Sequence, residues 1–227
     1  MLTKLSLLSV GLTVALVAAD FWTKPVADWT DKEMDMMLSD SPWADRMAVE
    51  TGQRGNVGNA DDGKGPMQGN LTAPVVVVWR TALPIRQAVA RRGNTPVGEE
   101  PTVSLLLASG FPAMFRADAT DAAKLAADTV IKVKGKADIH PTEVQLPAAA
   151  AAPKGAPGGP GGPGGGKGGG KGFGGGGGTF DLIFAFPKNA GLTLDDKEIE
   201  FITKVGKMNI RKKFKLKDMV VNGKLEM

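Results

Sequence analysis

An α+β fold is predicted for this 227-residue chain by three observations. Near the C-terminus, Ile199, Phe201 and Val205 alternate with Glu198, Glu200 and Lys204, and Met208, Ile210, Phe214 and Leu216 alternate with Arg211, Lys213, Lys215 and Lys217. Alternation of this kind marks half-buried strands, and the intervening Gly206-Lys207, glycine first, suits a type II′ hairpin turn. A second alternating run, Phe180, Leu182, Phe184 and Phe186, has the same period. Helical spacing occurs at Met34, Met37 and Leu38 and again at Ile85, Ala88 and Val89, so helical pieces accompany the strands.

The first residues read as an export signal. Lys4 is the only charge ahead of an apolar run at residues 5–19, which closes on Val17-Ala18-Ala19 directly before Asp20. Small residues at that spacing are what a signal peptidase reads, and the run is shorter than the roughly 20 residues that span a bilayer. A signal peptide at 1–19 is therefore expected, followed by one α+β domain at 20–227 with no transmembrane span after cleavage. The protein would then be periplasmic or secreted. The chain has no cysteine, which excludes a disulfide framework, a thiolate nucleophile and a thiolate metal site. A formal charge of +4 allows weak attraction to anionic polymers but makes no case for nucleic acid.

The first helix starts at a capping box, with Thr30 as N-cap and Glu33 three residues on. It ends at Ser41-Pro42, since the residue before proline is pushed out of the α region. Trp29 and Trp43 bracket this helix, either as anchors docking it on the core or as stacking surfaces for a ligand. Residues 52–70, rich in Gly, Asn and Asp, read as an exposed loop. A β-branched strand follows at 75–79, and then a helix with Pro84 in its first turn. That helix has Arg86, Arg91 and Arg92 on its wet side and Gly93 as its stop. Further elements are a strand at 103–108, an alanine-rich helix at 118–128, and short strands at 129–134 and 142–146.

Residues 147–178 hold alanine, proline and then nearly pure glycine, which builds no core. Val144 and Leu146 alternate before this tract and Phe180 to Phe186 after it. Loop closure grows only logarithmically in cost with length, so the tract is expected to be an insertion between two strands of one sheet. Asn222-Gly223 adds a last turn, and the chain is expected to end in an antiparallel meander.

Motifs for chemistry are sparse. Residues 58–65, G-N-A-D-D-G-K-G, approach a phosphate-binding loop but lack the following Ser or Thr and a preceding strand. His140, the only histidine, has Asp138 and Glu143 nearby at no recognised ligand spacing. Asp61-Asp62 and Asp195-Asp196 lie in turn-like contexts. No catalytic residue, metal site or cofactor is called for. The candidate binding residues are Trp29 and Trp43 on the helix and Arg211, Lys213, Lys215 and Lys217 on the basic strand, although charges on an edge strand also block edge-to-edge pairing.

Three stretches carry a resemblance: Asp28-Trp29-Thr30-Asp31-Lys32-Glu33 with Asp40-Ser41-Pro42-Trp43-Ala44; Trp79 with Ala82-Leu83-Pro84-Ile85-Arg86-Gln87-Ala88; and Lys213-Phe214-Lys215-Leu216-Lys217-Asp218-Met219 with Asn222-Gly223-Lys224-Leu225. In these the chain resembles secreted bacterial proteins of acidobacterial type that share the D-S-P-W-A element and the basic closing hairpin. The resemblance implies export and brings no activity with it. The function expected is an exported noncatalytic module that binds an envelope protein or an anionic polymer. The alternative is an exported hydrolase with a site built from carboxylates and serine.

Overall fold

Which face of each strand is apolar decides how the sheets stack. The computed structural model describes residues 21–57, 67–146 and 178–227. The expected signal peptide, the 58–65 motif with Asp61-Asp62, and all of the glycine tract except Gly178 lie outside these residues. The strands are β1 (Asp40–Ser41), β2 (Ala44–Val57), β3 (Met67–Trp79), β4 (Val103–Pro112), β5 (Val130–Val133), β6 (Glu143–Gln145), β7 (Thr179–Pro187), β8 (Glu198–Val205), β9 (Met208–Lys215), β10 (Val220–Val221) and β11 (Lys224–Leu225). The helices are α1 (Asp31–Ser39), α2 (Leu83–Arg92) and α3 (Ala122–Ala127). One antiparallel sheet runs β1-β2-β3-β4-β7-β6, and a second runs β5-β8-β9. The class is α+β, as expected.

The two sheets meet through the inward residues that the alternation marks. Phe184 of β7 packs on Phe201 of β8 with ring centroids 5.6 Å apart, and Trp79 of β3 packs on Phe214 of β9 at 5.9 Å. Leu106, Ala108, Phe180, Leu182, Ile199 and Ile210 fill the same interior. Thr129 and Thr203, both fully buried, satisfy each other through a 2.7 Å hydroxyl pair. The Trp79 indole N–H has no partner among the described residues; its ring lies among Phe186 and Phe214.

α1 begins as the capping box dictates: the Glu33 amide donates to Thr30 Oγ1, and the Thr30 amide donates to Glu33 Oε2 at 2.7 Å. Met34 and Met37 are buried. α2 has Pro84 in its first turn and Gly93 as its C-cap. Its buried side carries Ile85, Ala88 and Ala90, whereas Val89, expected in the apolar stripe, is 44% exposed. The alanine-rich segment divides. A 3₁₀ stretch covers Ala113–Ala119, and α3 follows once the Asp121 carboxylate accepts from the Lys124 amide.

The flanks of the glycine tract are paired neighbours, Val144 opposite Phe184 and Gln145 opposite Ile183, as expected for an insertion within one sheet. Two other expectations are corrected. Residues 52–57 and 67–70 are strand rather than loop, with Arg54 opposite Asn70 and Gly55 opposite Gly69. Backbone pairing across a long hairpin supports them, which glycine content does not report. Gly52, at φ +69°, takes up the register shift between Glu50 and Arg54. The start of β2 did carry a signal, Met47, Val49 and Thr51 alternating with Arg46, Ala48 and Glu50. The closing meander stops at β9. A 3₁₀ turn at Leu216–Met219 buries Leu216 and Met219 and turns the chain away, so β10 and β11 form a separate hairpin. Asn222 and Gly223, both at positive φ, make its turn in the type I′ pattern.

β3 and β4 part company at one point. Their pairing runs only from Val76–Ser109 to Trp79–Leu106. At Gly110, φ +93°, an added Cβ would lie 2.5 Å from Pro74 O. Only glycine fits there, and beyond it β2 and β3 continue as a two-stranded arm.

Candidate functional site

The residues named from sequence do not form a common surface. Trp29 and Trp43 are 2% and 0% exposed. The Trp43 indole donates to Glu226 O at 2.9 Å and stands edge-on to Trp22, and the Trp29 indole donates to Lys24 O at 3.2 Å. Neither ring offers a face to solvent. The expectation of a stacking surface is corrected, and both act as anchors, because each large ring finds an apolar contact and an acceptor at once.

The basic strand is also changed by its register. Lys215 lies opposite Glu198 and Lys213 opposite Glu200, and Lys132 of β5 stands on the far side of Glu200. Lys213 donates to Glu198 at 3.0 Å, and Lys217 approaches Asp218 at 4.0 Å. Arg211 faces Ile202. A face that reads as a run of cations in one strand is thus a ladder of alternating charge across three. Lys212 occupies an inward position of β9 and meets Asp45 of β2 at 2.9 Å, closing the gap where the two sheets approach. It also lies 5.6 Å from the Phe214 ring centroid.

His140 is tied to structure. Its Nδ1 lies 2.9 Å from Thr129 O and 3.3 Å from Ala126 O. Both are acceptors, so Nδ1 carries the proton. No group of acidic or histidine side chains suited to a metal ion occurs among the described residues. Where carboxyl groups depart from their ordinary range, the shift is downward. Hydrogen bonds from Lys24 and the Thr30 backbone hold Glu33 at about 2, and Lys188 and Lys224 do the same for Glu100. Asp196 is lowered by Lys136 and the Thr193 backbone.

The arrangement with chemical potential is a cleft that sequence reasoning missed. It lies between α1, α2 and the outward face of β2, β3 and β4, with a volume of about 620 Å³. Outward positions of the sheet form its floor, Val76 and Val78 of β3 with Leu107 and Ser109 of β4. Leu38, Ile85 and Val89 form the helical wall. Arg46, opposite Val76 on β2, stands at one end and Arg80, just past β3, at the other. Four residues of strand separate Val76 from Arg80, about 13 Å at the usual rise. Arg92 at the end of α2 completes the set, paired with Asp35 of α1. The Arg46 and Arg80 side chains have no hydrogen-bond or ion-pair partner among the described residues.

A second hollow of about 340 Å³ adjoins the first through Arg80 and Leu107 and adds Arg116, whose guanidinium lies 5.3 Å from the Phe180 ring centroid. The signal for all this was faint. Arg46 lies on a strand the sequence reading did not recognise, and Arg80 sits at the edge of one it did.

Comparison with protein-family models, curated proteins and solved structures finds no match. No described helix is long and apolar enough to cross a membrane.

Proposed function

We propose that the chain is an exported, noncatalytic module that binds an anionic component of the cell envelope in the arginine-walled cleft. One observation carries this reading: two guanidiniums without partners among the described residues, Arg46 and Arg80, flank a concave site, with a third, Arg92, paired with Asp35 on the rim. Guanidinium is suited to carboxylate and phosphate through its fixed fork of donors. A concave site on a sheet face favours binding of a discrete group over diffuse attraction. The resemblance to secreted proteins and the N-terminal segment support the same setting.

Titration with polyphosphate at low ionic strength tests the site. The double variant R46A/R80A should weaken binding at least tenfold, and K213A/K215A by less than twofold. The opposite ranking would return the function to the β8–β9 face, and equal affinity in all three proteins would end the cleft reading. Export is tested by fractionation, which should recover the protein outside the cytoplasm with Asp20 as its N-terminus; protein confined to the cytoplasm would overturn export, and an intact Met1 would overturn cleavage.

A further inference from the structure

We infer that the anion this cleft takes is amphipathic, a single alkyl chain carrying a phosphate head, rather than a fully solvated polyanion. The inference rests on the proposal that the cleft binds anions and adds what lies behind the charge.

Arginines alone would suit any polyanion, but the floor between them is mainly aliphatic, with Ser109 its one polar side chain. Val76, Val78 and Leu107 line the floor without a charged residue interposed, and Leu38, Ile85 and Val89 extend it up the helical wall. Val89 is the telling residue. It is nearly half exposed on a helix that buries Pro84, Ile85, Ala88 and Ala90, and it faces this cleft. An aliphatic chain laid along β3 would cover Val76 and Val89 together, while water would not. A neutral hydrocarbon, conversely, leaves Arg46 and Arg80 with no role. Only a ligand with both parts uses both kinds of lining.

The charge on the rim narrows the head group. Three guanidiniums and one carboxylate leave a surplus of two positive charges, the complement of a phosphate monoester dianion. Asp35 already occupies Arg92 as an internal carboxylate, so an incoming phosphate competes with it for that one arginine and has Arg46 and Arg80 to itself. The volume of about 620 Å³ lies within the roughly 300–1,000 Å³ of small-molecule sites. The cleft is concave, walled by two helices, and therefore suited to one extracted amphiphile, whereas a flat bilayer surface would rest on the helices and leave the floor uncovered.

The test is a chain-length series, inorganic phosphate, butyl phosphate, hexyl phosphate and octyl phosphate, measured by calorimetry below the micellar range, with octyl glucoside as the uncharged control. Affinity should rise by about two- to fourfold per added methylene until the floor is covered, and octyl glucoside should bind at least tenfold more weakly than octyl phosphate. V89S should flatten the chain-length dependence, R46A/R80A should remove the preference for phosphate over glucoside, and D35N should tighten binding severalfold by freeing Arg92. An affinity independent of chain length, with R46A/R80A still damaging, would overturn the amphipathic ligand and leave the anion site standing. Chain-length dependence untouched by R46A/R80A would overturn both. Recruitment to vesicles of anionic phospholipid, lost in R46A/R80A and matched by no binding of monomeric octyl phosphate, would overturn the single amphiphile in favour of a membrane surface.

Discussion

The six-stranded sheet treats its two faces differently. Its inward face is closed by β5, β8 and β9, and the aromatic residues there, Trp79, Phe184 and Phe186, are fully buried. Its outward face is covered by α1 and α2 over only part of its width, and beside them lies a mainly aliphatic floor with arginines at its ends. The same strands supply both, since Val75 and Val77 are buried inward while Val76 looks outward and is only half-buried. Packing explains the first set completely. The second set is packed only in part: Val78 and Ile85 are buried, whereas Val76 and Leu107 are half-buried and Val89 is 44% exposed.

This contrast can be broken by substitutions on either side of it. The largest effect is expected from Trp43→Ala, which should destabilise the fold by about 3–5 kcal/mol in chemical unfolding. It should leave anion affinity unchanged in the protein that remains folded; lost binding at full stability would move Trp43 from anchor to recognition residue. Next come two adjacent lysines on β9. Lys212 lies inward against Asp45, each side chain about a quarter exposed, and Lys212→Ala should cost about 1–2 kcal/mol, between the values of exposed and buried pairs. Lys213→Ala on the outward side should leave the melting temperature where it was. Equal effects would mean that the ladder carries structural weight the register does not imply.

The smallest effect is acid-dependent. Glu100 is held at about 2 by Lys188 and Lys224, below its unfolded value, so its contribution is complete above the ordinary carboxylate range and is lost as the pH falls toward 2. Glu100→Gln should therefore lose less melting temperature than the parent between pH 5 and 2. A Glu100 carboxyl that titrates near 4 by carbon NMR would remove the basis for this.

Much of the fold was legible because burial leaves a periodic trace. The Phe180–Phe186 run, the paired strands around Gly206 and the Thr30–Glu33 cap all stand in the structure as the residue pattern implied. The arm was illegible because Gly55 and Gly69 hold their strands by backbone pairing alone, which side-chain type does not betray. The lysines misled for a related reason. A strand read singly shows its own charges, and Glu198 and Glu200, which neutralise them, come from its neighbour. Arg46 and Arg80 escaped notice because the register of β2 against β3 is what brings them to one cleft, and register is a property of two segments at once.

One further consequence concerns time rather than stability. Trp43 hydrogen-bonds to a carbonyl 183 positions further along the chain, and Thr129 meets Thr203 across 74. β4 finds β7 only after the whole glycine tract has passed between them. Contacts so remote must wait for chain closure before they repay its entropy, which sets the chain among slow folders, on the order of milliseconds to seconds. During that interval the sheet edges stand open, and the export proposed above would have the delay it requires.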